Sequence, residues 1–237
     1  MALWITLFLG LFFLSGMILI KFFPNHELIE HISYAIAFGS MAGIVVLDLL
    51  PEILEAFEPA RYPLAAVLIL LGIGLLKVLD MFIPEHEEAD EENPVHIGIM
   101  ATIAIVIHNI IEGMTVYSIC LTDINSGLVL ALGVGLHNIP MGMLIYSALR
   151  QENRTKRYIL IFLATASTFM GGCLMLALST ISHHLLESVL MCLALGMILF
   201  IVLFELLPLL LHEKNRKWNI GGVLIGFLIV ILSSFLG

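Results

Sequence analysis

The sequence predicts an all-α, polytopic membrane protein with eight transmembrane helices. Of its 237 residues 60% are hydrophobic and only 12% are charged, a composition outside the range of soluble domains of this length. The charges fall in short breaks between apolar runs, each close to the twenty or so residues that cross the hydrocarbon core as a helix. These runs lie at roughly 2–21, 30–52, 61–82, 96–121, 124–149, 157–182, 185–211 and 218–236, and together they make residues 1–237 a single transmembrane domain.

The first run has neither a basic n-region nor a small-residue cleavage site, so it reads as a mature helix and not as a signal peptide. The second follows a His26, Glu27, Glu30, His31 cluster that suits either a helix start or a place to receive ions. Between the third and fourth lies an acidic loop at 84–95, which contains His86, is followed directly by His96 and supplies most of the net charge of −9. An acid run of this kind reads by itself as a solvated linker. No basic patch exists to bind a polyanion, so nucleic acid is excluded as a partner. His183 and His184 precede the seventh run with Glu187 just inside it, which suits either an interfacial pair or capture of incoming metal, and His212 and Glu213 close the run, where a helix C-terminus by itself favours a histidine. Cys120, Cys173 and Cys192 are isolated and read as packing residues. Gly72, Gly74, Gly171 and Gly172 read as points of close helix approach.

Lys and Arg flanking spans are retained on the cytoplasmic side. Lys21 marks the first connection, Lys77 leads into the third, Arg150, Arg154, Lys156 and Arg157 mark the fifth, and Lys214, Arg216 and Lys217 the seventh. The second, fourth and sixth connections hold only Arg61. Odd connections are therefore expected in the cytoplasm, with both termini outside. An internal echo accompanies this alternation: Gly39 precedes Asp48-Leu49-Leu50-Pro51 by nine residues, and Gly196 precedes Glu205-Leu206-Leu207-Pro208 by nine. Spans two and seven run in opposite directions, so the echo predicts an inverted repeat, a recurring transporter plan.

Two apolar spans carry the same polar signature, His108-Asn109-Ile110-Ile111-Glu112-Gly113 and His137-Asn138-Ile139-Pro140-Met141-Gly142. Ionisable groups at such depth are costly and face a protein interior or a polar pathway. His108, Asn109 and Glu112, spaced by three and four, share one helix face and can converge on one ion. His137 and Met141 share a face likewise, with Asn138 beside them, and Pro140 frees the Leu136 carbonyl. Imidazole, amide and carboxylate form a ligand set for a divalent transition metal.

With these residues the chain resembles the ZIP (Zrt/Irt-like) family of divalent metal transporters over essentially its whole length. The paired His-Asn signatures on spans four and five, the acid-Leu-Leu-Pro strings on spans two and seven, and the acidic loop carry the likeness. The resemblance implies a binuclear mid-membrane metal centre built by spans four, five and six, with a fifth-span Glu bridging two ions. It makes His108 and Glu112 ligands of the first site, Asn109, Asn138 and Glu112 part of the second, His137 a residue in or next to the transport path, Asp48 and Glu205 acids along entrance or exit, and the acidic loop with His86 and His96 a metal-collecting segment.

Three departures alter that expectation. Ile111 stands where the family has Pro, Met141 where it has the bridging Glu, and no Asp or Glu occurs between Arg157 and Glu187, so span six lacks its acid. Met141 can fill space, offer a thioether to a soft ion, or mark loss of transport. The expectation is inward passage of Zn2+, with Fe2+ or Mn2+ as other candidate ions, across a cell membrane, by a chain that is not an enzyme and is open to homodimer formation. Two alternatives stay open: a relative that binds or senses metal without carrying it, and an intramembrane zinc hydrolase, against which the missing HExxH counts. No phosphate-binding GxxxxGK[ST] is present, so nucleotide does not drive the process.

Overall fold

A computed structural model of the protein describes residues 1–22, 26–82, 94–178, 184–212 and 216–235, without the side chains of 26, 27, 184–187, 212 and 216. Most of the acidic loop, His183 and Glu213 lie outside the described residues, as do the side chains of His26, Glu27, His184, Glu187 and His212.

Eight helices are long and apolar enough to cross a bilayer: α1 Ala2–Lys21, α2 Leu28–Ala56, α3 Pro59–Asp80, α4 Pro94–Thr122, α5 Ile124–Ala148, α6 Arg154–Leu178, α7 Ser188–Leu211 and α8 Lys217–Ser234. Their ends agree with the hydropathy reading to within a few residues, and no strand occurs among the described residues. Helices α2, α4, α5 and α7 are buried over most of their apolar stretch, whereas in α1, α3, α6 and α8 a third or less is buried. The outer four accordingly display Phe8, Leu71, Phe162 and Leu224, the surface a hydrocarbon solvent accepts. This is a multi-pass membrane protein whose inner helices carry the polar signatures.

Glycines decide which helices touch. A Cβ on Gly113 of α4 would strike the Thr168 carbonyl of α6, and one on Gly171 would strike the Ile110 carbonyl in return. Gly142 of α5 meets the Phe13 carbonyl of α1, and Gly16 meets that of Ile139. Gly39 of α2 lies against Val223 of α8, and Gly196 of α7 against Ile69 of α3. The α4/α6 contact thus repeats α5/α1, and α7/α3 repeats α2/α8, as an inverted repeat pairing helices 1–3 with 6–8 requires. Gly113 and Gly142 are the last residues of the two polar signatures, so the motif combines a ligand face with a close-approach point. Gly72 and Gly171 meet neighbouring backbone, and Gly172 the Thr6 side chain, as expected. Gly74 departs from the expectation: nothing lies within 4 Å of its Cβ position, because it faces away from α7.

The repeat reaches into backbone detail. Residues Val45–Leu49 of α2 and Ile201–Leu206 of α7 form π-helical turns, closed by Leu50 N–H to the Val45 carbonyl and Leu207 N–H to the Val202 carbonyl. Pro51 and Pro208 follow directly, and a proline cannot donate to the carbonyl four residues earlier. The wider turn absorbs this defect locally. Asp48 and Glu205 both sit in these turns. Helix α5 begins on Asp123, whose carboxylate accepts from the Asn125 and Ser126 amides at 3.1 and 3.2 Å, and runs unbroken through Pro140. At the start of α2, Glu30 accepts the Tyr34 hydroxyl proton at 2.7 Å, a bond within the helix that supports the helix-start reading. The three cysteines are free thiols.

Candidate metal centre

Helices α4 and α5 run antiparallel through the centre and bring their signatures face to face. Glu112 Oε1 lies 3.0 Å from His108 Nε2 on its own helix and 2.6 Å from His137 Nε2 across the interface. One donor atom from each of His108, Glu112 and His137 falls within 4.8 Å of the others, a span that a single cation with bonds of about 2 Å can bridge. The two histidines are buried, and their rings stand 6.1 Å apart, tilted by 41°. The spacing argument grouped His108 with Glu112; it is the α4/α5 register that adds His137 as a third donor.

The surroundings are polar and buried. Asn109 donates its amide to the Ala164 carbonyl of α6 at 3.3 Å, which leaves its Oδ1 buried without a partner. Both polar atoms of the Asn138 amide, Glu112 Oε2 and the Thr168 hydroxyl are likewise buried and unpartnered. Each such group costs free energy unless something pairs with it, and a cation held by Glu112 and the imidazoles fits that need. Thr168 belongs at this level because its carbonyl packs on Gly113, so a hydroxyl stands on α6 where no carboxylate is available. Met141 occupies the repeat position equivalent to Glu112, yet it is fully buried among apolar side chains of the core.

Asp48 is exposed at the bundle surface, close enough for its charge to act on His137, Glu112 and His108. Glu52, one turn further along α2, acts on His108 and was not singled out in the sequence; its four-residue spacing from Asp48 is the signal that could have found it. Glu205 is not grouped with the centre. Its carboxylate lies with those of Asp80 and the imidazole of His96, within 4.8 Å. Two nitrogens and one carboxylate suit zinc and its neighbours among divalent ions, and Asp48 and Glu52 add negative charge nearby.

A family model described as ZIP zinc transporter matches residues 83–234. Zinc transporter ZupT proteins from Neisseria meningitidis serogroups A, B and C are 28% identical over 133 residues, 48% of this chain and 48% of each relative. The chain spans about half the length of the curated relatives it matches. The match of the family model over most of the chain, on top of eight spans and paired His-Asn signatures at a buried centre, establishes that the chain belongs to the ZIP zinc transporter family.

Proposed function

We propose that this chain carries a divalent transition-metal cation, zinc in the first place, across the membrane into the cytoplasm through a site held by His108, Glu112 and His137. The observation that carries the reading is the convergence of three donor atoms within 4.8 Å in the buried middle of two antiparallel helices. Binding requires neutral imidazoles and an ionised carboxylate, so metal and protons compete for the same atoms. Asn109 and Asn138 border the ion as neutral oxygen donors, Met141 adds no charge, and Asp48 guides the ion toward the centre. With one carboxylate among the direct ligands, a second dication beside the first would face uncompensated repulsion, so one ion is expected between α4 and α5. Orientation rests on the basic residues at the odd connections.

Zinc uptake into vesicles containing the purified chain, followed with an enclosed zinc-sensitive dye, tests the reading. Saturable flux in the parent and none in His108→Ala supports it. The burial of Met141 in the apolar core and the missing α6 acid favour a second reading, binding without passage, which the same vesicles reveal as bound zinc with no flux.

A further inference from the structure

Positive charge is spread unevenly along this chain. Four of its ten Lys and Arg residues fall within 150–157, at the connection between α5 and α6, in a protein whose net charge is −9. Glu152 is the only acid in that stretch, and it is engaged locally: Lys156 Nζ lies 2.6 Å from its Oε2, and the Asn153 amide donates to its Oε1 at 2.8 Å. The three arginines gather round two tyrosines at the span ends. Arg150 and Arg157 stand over the Tyr146 ring, 6.0 and 5.6 Å from its centroid, and Arg154 and Arg157 over the Tyr158 ring, at 5.9 and 5.4 Å. Attraction between guanidinium and ring face offsets part of the cost of bringing like charges together.

Arg157 is common to both rings. Its Nη1 donates to the Arg150 carbonyl at 2.8 Å, whereas its Nε is buried without an acceptor. A guanidinium N–H left unpaired among further cations suits an anion that can accept from it. We infer that the α5/α6 connection binds the phosphate of an anionic phospholipid headgroup. Guanidinium forks match phosphate oxygens in a way that an ammonium does not. The place decides among sources of phosphate. The arginines stand where two membrane spans end, Tyr146 and Tyr158 lie at the level where aromatic side chains meet headgroups, and Ile159 and Phe162, exposed further along α6, offer an apolar face to acyl chains.

The connection matters for packing as well. Along their length α5 and α6 hardly touch, because α1 packs against both. A headgroup held by Arg150, Arg154 and Arg157 would therefore join, at the membrane surface, the helix that carries His137 to the helix that carries Thr168. Arg150 also stands close enough for its charge to act on Tyr34 of α2, whose hydroxyl donates to Glu30. The site is the same whichever side of the membrane this end faces, and whether or not the chain carries zinc.

The test uses the full chain in detergent, with short-chain phosphatidylglycerol and phosphatidylcholine as probes and native mass spectrometry to count bound lipid. The parent should hold phosphatidylglycerol about fivefold or more tighter than phosphatidylcholine. Arg157→Gln should remove most of that preference. If it fails to fold, Arg154→Gln combined with Lys156→Gln, at two exposed positions, should lower the preference about threefold or more. Lys21→Gln, which takes a charge from the first connection, should leave it unchanged. Equal affinity for the two lipids, or a preference untouched in the arginine variants, overturns the site. An equal fall in Lys21→Gln also overturns it, since diffuse interfacial charge would then account for binding. Complete displacement of the lipid by inorganic phosphate would make the ligand a free phosphate and overturn the lipid assignment.

Discussion

Met141→Glu restores a carboxylate at the repeat counterpart of Glu112, and its effect can be worked from the setting of that position. Met141 is fully buried on the helix that presents His137. At an effective dielectric of about 20, unit charges 4 Å apart interact by about 4 kcal/mol, so a new carboxylate beside a dication gains about 8 kcal/mol. Against this stand desolvation and repulsion from Glu112, several kcal/mol in the ion-free protein, partly relieved by uptake of a proton. The net expectation is zinc binding tighter by about 2–3 kcal/mol, roughly 30- to 140-fold, with an additional proton released per zinc. The ion-free variant should melt below the parent and the zinc-bound variant above it, a reversal that simple repacking cannot produce. Titration calorimetry in two buffers of different ionisation enthalpy, with melting curves at both zinc extremes, reads all of this. Unchanged affinity and unchanged proton release would place residue 141 outside the coordination sphere and refute the reasoning. Two well-occupied ions between α4 and α5 of the parent, seen by anomalous scattering, would refute the one-ion premise.

His108→Ala and Glu112→Ala should each remove saturable binding at the centre, whereas Asn109→Ala should only weaken it, because an amide oxygen is the poorer zinc ligand; dialysis on folded variants decides. Gly113→Ala and Gly39→Ala should each cost about 1–3 kcal/mol through overpacking against a facing carbonyl, while Gly74→Ala, with open space at its Cβ, should be neutral or slightly stabilising by thermal melting. Glu88→Cys in a chain lacking native cysteines should resist a membrane-impermeant thiol reagent applied to intact cells; labelling from outside would reverse the proposed orientation.

The spans were legible because hydropathy and charge placement act over twenty residues at a time, and bilayer thickness fixes the answer. Half of the centre was legible for a local reason: helical spacing alone puts His108 and Glu112 on one face. The other half depended on register between helices, which no local pattern reports. That register is set where Gly113 and Gly142 let backbones meet, and it decides that His137, not Met141, approaches the Glu112 oxygen. Asp80 went unnoticed because a lone acid at a span end reads as an interfacial charge; only the fold brings it to His96 and Glu205. The π-helical turns left a faint trace, an acid three residues before a proline in a long apolar run, and the Gly-to-acid echo was that trace read as a repeat.

Repeat-related residues do not stand in equivalent places, and on the proposed transport reading that inequality carries the mechanism. Asp48 acts on the central donors, whereas its counterpart Glu205 is engaged with Asp80 and His96. If the two halves exchange arrangements about the centre, as inverted repeats permit, Glu205 takes the place beside the ion as Asp48 withdraws, and the π-helical turns of α2 and α7 supply the local register shift each acid needs. The two acids then contribute at different stages. Asp48→Asn should weaken equilibrium zinc binding at the centre and slow flux. Glu205→Gln should slow flux with central affinity unchanged, because its carboxylate reaches the ion only after exchange. Zinc affinity by equilibrium dialysis, together with initial flux in vesicles, separates the two. Equal loss of central affinity in both variants would mean that both acids face the ion in one arrangement, and the exchange would have to be abandoned.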